Sequence, residues 1–173
     1  MNKVFSNPII LALDTSSLEA AKLIALKLKD HIGGFKIGIK FFNSFGPDGI
    51  KIIQEFKIPI FLDLKLHDIP ATVYKTVSTL LTLNPAIINI HASGGREMMN
   101  AAFRARKDSN NKNTKIIAVT ILTSLDNNDL KEVGFSNTSN ELVLSLAKLA
   151  KDSGLDGIVC SAKEISTIRA AIG

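Results

Sequence analysis

Short apolar runs alternate along this chain with longer stretches in which apolar side chains recur every three or four positions. The runs Ile9 to Leu13, Phe35 to Ile39, Ile58 to Leu64, Ala86 to His91, Ile116 to Thr120 and Gly157 to Cys160 have the length and continuity of buried parallel strands. Helical stripes lie between them. Leu18, Ala21, Ala25, Leu28 and Ile32 share one face of a first helix, and Ile69, Val73, Val77 and Leu80 share one face of a third. The second helix is expected from Asp48 to Phe56, and the fourth from Gly94-Gly95 to the polar loop Asp108 to Thr114. After a long connection the fifth spans Asn140 to Asp152, and a last one starts near Ala162, with Ile165, Ile168 and Ile172 in register. Three helix starts carry a hydroxyl and a carboxylate three residues apart: Ser16/Glu19, Thr138/Glu141 and Ser161/Glu164. Each is a capping box, in which the two side chains satisfy orphan backbone donors reciprocally.

Strands and helices alternating at this period argue for parallel βα units. Polar residues recur at or just past the strand ends: Asp14, Asp63, Lys65, His91, Thr120 and Thr123, with Lys36 inside the second strand. A closed barrel gathers such ends on one face, whereas a doubly wound sheet spreads them along an edge. The expected fold is therefore α/β, a TIM (β/α)8-type barrel in one domain over residues 1–173, with about six of the eight βα units.

Composition narrows the function classes. A hydrophobic content of 46% with 21% charged residues fits one globular core. The single cysteine, Cys160, cannot form an internal disulfide, which fits a reducing cytoplasm; as a small apolar residue it simply ends a strand. Ile9 to Leu13 is too short for a signal sequence and runs into Asp14, and no apolar run approaches the ~20 residues of a membrane span. The net charge of +5 permits an anionic substrate, but Lys22, Lys27, Lys29, Lys148 and Lys151 fall on polar helix faces. No basic patch interleaved with aromatics suggests nucleic acid. After the first strand stands Asp14-Thr15-Ser16-Ser17 rather than a glycine-rich dinucleotide fingerprint.

The densest chemistry is Asp63-Leu64-Lys65-Leu66-His67-Asp68-Ile69-Pro70. Residues two apart on a strand share a face, so Asp63 and Lys65 point the same way from its C-terminal end. Two carboxylates flanking one lysine favour its charged form, which makes the ammonium a positioned proton donor. A buried ion-pair network closing the strand is the bland alternative; charges are rarely buried without reason, which favours chemistry.

These residues, with Leu11-Ala12-Leu13-Asp14, Phe35-Lys36-Ile37-Gly38 and Val119-Thr120-Ile121-Leu122-Thr123-Ser124, resemble the orotidine 5′-phosphate decarboxylases. Gly154 to Ser161 is similar to the bacterial form. The resemblance implies decarboxylation of orotidine 5′-monophosphate to uridine 5′-monophosphate in pyrimidine biosynthesis, without metal or organic cofactor. By its pattern Lys65 would protonate C6 as carbon dioxide leaves, and Asp63 would orient Lys65 beside the substrate carboxylate. Lys36 would complete the charge network and touch the ribose, Asp14 would bind ribose hydroxyls, and Thr123 would lie against the pyrimidine. Asp68, with Ile69 and Thr72, would reach into the site of a partner subunit, making a functional homodimer.

Each position also has a plainer reading. Asp14 could start a helix, Lys36 could snorkel from its strand, Thr123 could be a loop hydroxyl, and Asp68 reads as the N-cap before Pro70. His67 reads as a helix-entry or surface residue, His91 as a structural histidine, and Met98 and Met99 as filler in the core or an interface. The chain carries six units where the family barrel has eight, so the loops after strands seven and eight, which grip phosphate in such barrels, are expected to be absent and turnover weak. Two other readings compete: a magnesium-dependent sugar-phosphate decarboxylase or aldolase of the same suprafamily, and a catalytically dead truncated fragment. The first would want a carboxylate from strand two, where Lys36 stands.

Overall fold

The computed structural model describes residues 7–111 and 113–173; Lys112, inside the expected polar loop, lies outside them. Six parallel strands form one sheet in chain order: β1 (Ile10–Ala12), β2 (Gly34–Gly38), β3 (Ile60–Leu66), β4 (Ile87–His91), β5 (Lys115–Val119) and β6 (Gly157–Val159). The crossovers carry α1 (Leu18–Leu28), α2 (Ile39–Gln54), α3 (Pro70–Leu81), α4 (Gly95–Asp108), α5 (Asn127–Glu132) and α6 (Ser139–Asp152), and α7 (Ile165–Ile172) follows β6. These are six βα units of a TIM-type barrel, as the alternation predicts.

Register divides the sheet into two faces. Phe35, Ile37, Leu62, Ile88, Ile90, Ile116 and Ala118 are all but inaccessible and pack with Ala21, Ala25, Phe41, Ile50, Val73, Val77 and Met98 of the helices. The opposite face carries Ala12, Lys36, Phe61, Asp63, Ile87, Asn89, His91 and Val119, since Ala12 pairs with Lys36, Lys36 with Phe61, Phe61 with Ile87 and His91 with Val119. Lys36, Asp63 and Asn89 of that face form the site, with His91 beside them.

Four local features depart from the sequence reading. The second helix begins at Ile39, directly after β2, and bends at Gly46, whose φ of 56° and ψ of −154° interrupt it before Pro47. Gly46-Pro47 reads as a breaker, so only the half beyond it was legible. A further helix, α5, is opened by an Asp126/Asp129 capping box in which an aspartate takes the place of the usual glutamate. The cap of α1 is Ser17, not Ser16: its hydroxyl accepts from the Ala20 amide at 3.2 Å and donates to Glu19 at 3.1 Å. Thr138/Glu141 and Ser161/Glu164 form the expected boxes. Finally, Asp68 is not the N-cap of α3; Ile69 holds that position, and the Asp68 carboxylate accepts from the Ile69 amide instead.

Candidate active site

The site grows from the C-terminal ends of β2, β3 and β4. Asp63 sits opposite Gly38 in the β2–β3 register, one residue pair beyond Lys36 and Phe61 on the same face. With no side chain at Gly38, the Lys36 stem runs along the strand to place Nζ 2.8 Å from Asp63 Oδ2. Lys65 Nζ lies 2.6 Å from the other oxygen, Oδ1. Asn89, from the middle of β4, donates to that same Oδ1 from Nδ2 at 2.6 Å and accepts the Lys65 amide on its Oδ1 at 2.8 Å. One carboxylate is thus enclosed by two ammonium groups and a carboxamide.

Burial and charge are divided unequally among them. The Asp63 side chain is 9% exposed, whereas those of Lys36 and Lys65 are 33% and 30% exposed. Both cations therefore face the open side, where a ligand anion can reach them, and the carboxylate stays behind. Burial alone would push the Asp63 carboxyl up, but hydrogen bonds from Lys36, Lys65 and Asn89 outweigh it and hold the group below the usual aspartate range. It remains an anion throughout neutral pH.

Lys65 itself occupies unusual backbone. Its φ is 51°, left-handed for a side chain with a Cβ, and it lies where the β3–β4 register slips between Leu62 and Leu66. Strand periodicity predicted the shared direction of Asp63 and Lys65; the bulge that delivers it was not visible in the sequence. Backbone of this kind is held only where its surroundings over-determine it.

The remaining sequence candidates lie around this network, outside its hydrogen bonds and ion pairs. Asp14 is exposed just past β1, next to Leu13, whose amide donates to the Lys36 carbonyl at 2.9 Å. Asp68, Ile69 and Thr72 are exposed at the start of α3, Ile69 by 66%. Thr123 is exposed in the loop between β5 and α5. Met98 and Met99 are fully buried in the core, and Cys160, half-buried beyond β6, has its thiol pushed up by burial and by Glu164.

The two histidines beside the network form a pair. The rings of His67 and His91 lie 5.3 Å apart with a 35° tilt. Burial first, then the neighbouring His67 and Lys65, push the His91 imidazole below its ordinary value. A base whose folded-state pKa is depressed contributes stability present above its unfolded pKa of about 6.5 and lost as pH falls toward the folded value. Asp63, also depressed, adds a second loss below about 3.9. Thermal melts should therefore show stability declining as pH drops from 7.5 through 6, and His91→Gln should flatten that first decline while leaving the later one. An unaltered pH dependence in His91→Gln would remove the histidine from this role.

Comparison with known proteins gives one consistent answer. Residues 7–173 match the model of the family described as orotidine 5′-phosphate decarboxylase / HUMPS. The orotidine 5′-phosphate decarboxylase of Sphingopyxis alaskensis is 48% identical over 166 residues, which are 96% of this chain and 72% of that protein. The protein of the same name from Ehrlichia chaffeensis is 46% identical over 166 residues, 96% of this chain and 71% of that one. Among solved structures, orotidine 5′-phosphate decarboxylase from Lactobacillus acidophilus superposes with a TM-score of 0.89 at 38% identity, covering 97% of this chain and 77% of its own.

Proposed function

We propose that this chain, a member of the orotidine 5′-phosphate decarboxylase / HUMPS family, decarboxylates orotidine 5′-monophosphate through the Lys36–Asp63–Lys65 network. The observation that carries the mechanism is one enclosed carboxylate holding two half-open ammonium groups at the strand ends. The substrate carboxylate enters next to that array with Lys65 directed at C6. As the C6–carboxylate bond breaks, carbon dioxide departs and the electron pair stays on C6. The Lys65 ammonium stabilises that developing carbanion and then gives it a proton, leaving an amine that regains its proton from water. Asp63 fixes Lys65 through the bond at Oδ1 and Lys36 through Oδ2, so both cations are in place before charge develops. Lys36 and Asp14 are assigned to the ribose, and Thr123 to the pyrimidine edge.

A magnesium-dependent sugar-phosphate reaction is the second reading, and Lys36 disfavours it by putting a cation where β2 would offer a metal-binding carboxylate. The two are separated by incubating the protein with orotidine 5′-monophosphate and with a sugar-phosphate acid, with and without a chelator. Chelator-insensitive formation of uridine 5′-monophosphate is expected; a chelator-sensitive reaction of the sugar phosphate alone would replace this reading with the second.

The working unit is assigned as a two-fold dimer in which Asp68, Ile69 and Thr72 complete the partner's site. Their joint exposure at the start of α3 supports this. In a mixture of Asp68→Asn and Lys65→Ala chains, random pairing should restore up to about a quarter of the unaltered turnover, since a mixed dimer keeps one intact site. Turnover no higher than the sum of the two variants alone would argue for sites built within one chain.

A further inference from the structure

Among the described residues, Asn89 is the one fully buried polar side chain on the strand face that carries the charge network, and nothing in its surroundings Ile87-Ile88-Asn89-Ile90 marks it as more than an interruption of an apolar strand. Its position is specific. Four steps along β3, from Leu62 to Leu66, match only two along β4, from Ile88 to Ile90, so two β3 residues bulge out of the ladder. Within that bulge the Lys65 amide takes the Asn89 carboxamide oxygen as its acceptor at 2.8 Å. The other half of the same carboxamide donates at 2.6 Å to Asp63 Oδ1, the oxygen that also accepts Lys65 Nζ at 2.6 Å.

We infer that Asn89 is a positioning residue for the decarboxylation: one planar carboxamide sets both the backbone of Lys65 and the carboxylate that orients its ammonium. The inference rests on Lys65 and Asp63 being the reacting pair. The requirement is for an acceptor and a donor in one short side chain. Leucine would fill the space with neither, leaving the Lys65 amide unpaired beside a bulge with left-handed backbone. Aspartate would keep the acceptor, lose the donor and set a second anion against Asp63. The charged and titratable groups near Asp63 are Lys36 from β2, Lys65 on β3 and His91 from β4, with the tilted His67 ring 5.3 Å from that of His91.

The test uses residues 1–173 followed by the C-terminal part of the Sphingopyxis alaskensis relative, so that the phosphate is held, unaltered and as Asn89→Leu and Asn89→Asp. The Asp63 carboxyl is titrated by NMR with ¹³C-labelled aspartate, and turnover of orotidine 5′-monophosphate is followed from pH 5 to 8. In Asn89→Leu the Asp63 carboxyl should titrate roughly one unit higher, the effect of one lost hydrogen bond to an ion. In Asn89→Asp two adjacent carboxyls share a proton, so one of them should titrate well above the ordinary range. Both variants should lose on the order of 10²-fold in kcat at pH 7.5, with KM within about twofold, the signature of a misplaced reacting group.

Asn89→Asp should then recover kcat as pH falls toward 5, because its protonated carboxyl donates to Asp63 as the carboxamide does; Asn89→Leu should show no recovery. A packing role alone would lower the melting temperature in both variants and produce no such pH dependence. An Asp63 titration unchanged in both variants, or an Asn89→Asp kcat that does not rise on acidification, overturns the inference. Should Asn89→Leu fail to fold, the Asn89→Asp titration decides by itself. Titrations that shift as stated in an extended protein that forms no uridine 5′-monophosphate leave Asn89's hold on Asp63 and Lys65 standing and overturn the assigned reaction instead.

Discussion

Replacing Lys65 by alanine should lower turnover of orotidine 5′-monophosphate by roughly 10⁴–10⁷-fold, with a much smaller change in nucleotide affinity. Two separable contributions vanish together. A positioned general acid supplies about 10²–10⁴ in rate, and a preorganised charge facing a developing anion supplies about 10²–10³ more. The loss is expected in kcat because the carbanion exists only beyond the ground state. Lys65→Arg should recover little. Its planar guanidinium cannot reproduce the single short contact to Asp63 Oδ1, and it does not release a proton. A melting temperature close to that of the unaltered chain would show that the loss is chemical. Steady-state kinetics with the variant, checked for residual turnover to at least 10⁵ below the unaltered rate, would measure it.

The second large effect concerns the phosphate. The chain spans 72% of the length of its Sphingopyxis alaskensis relative and contributes six strands to the sheet. Barrels of this kind hold substrate phosphate through loops after strands seven and eight. Each charged hydrogen bond to that dianion is worth about 1.5–3 kcal/mol. Two or three amount to about 3–9 kcal/mol, or roughly 10²–10⁶ in rate when expressed in the transition state. A polypeptide of residues 1–173 followed by the C-terminal part of that relative should therefore turn over at least about 10²-fold faster than residues 1–173 alone. The comparison is a single kcat/KM measurement on two proteins at equal concentration. Equal rates would mean that groups within residues 1–173 already grip the nucleotide.

Much of this architecture was legible in the chain itself. The six strands and five of the helices follow from the change between continuous and three-to-four apolar spacing and from the breakers between them, because burial against a sheet and burial along a helix leave those patterns. The first half of α2 was hidden by Gly46-Pro47, a local stop signal that the chain uses as a bend. The short helix α5 was hidden because six residues are too few to show a periodic stripe.

In the site, alternation correctly put Asp63 and Lys65 on one side, but it reached that result through regular strand geometry. The actual route is a bulge with Lys65 in left-handed backbone. Asn89 escaped notice because a lone polar residue in an apolar strand has no partner in sequence; its two contacts lie 24 and 26 residues away. Asp68 illustrates the converse. Its place before Ile69-Pro70 mimics a helix cap, yet its carboxylate accepts the very next amide and leaves the side chain exposed at the rim.

The most direct test of the proposed chemistry follows the carboxyl carbon itself. Orotidine 5′-monophosphate labelled with ¹⁴C in its carboxylate is incubated, in water enriched in deuterium, with the unaltered chain extended by the relative's C-terminal part. The same protein carrying Lys65→Ala serves beside it. The expected result is one labelled carbon dioxide released for each uridine 5′-monophosphate formed, with deuterium at C6 of the product, and no release above background from the variant. Labelled carbon dioxide appearing at the same rate from Lys65→Ala, or none appearing from the unaltered protein, would contradict the assignment of Lys65 as the group that meets the carbanion.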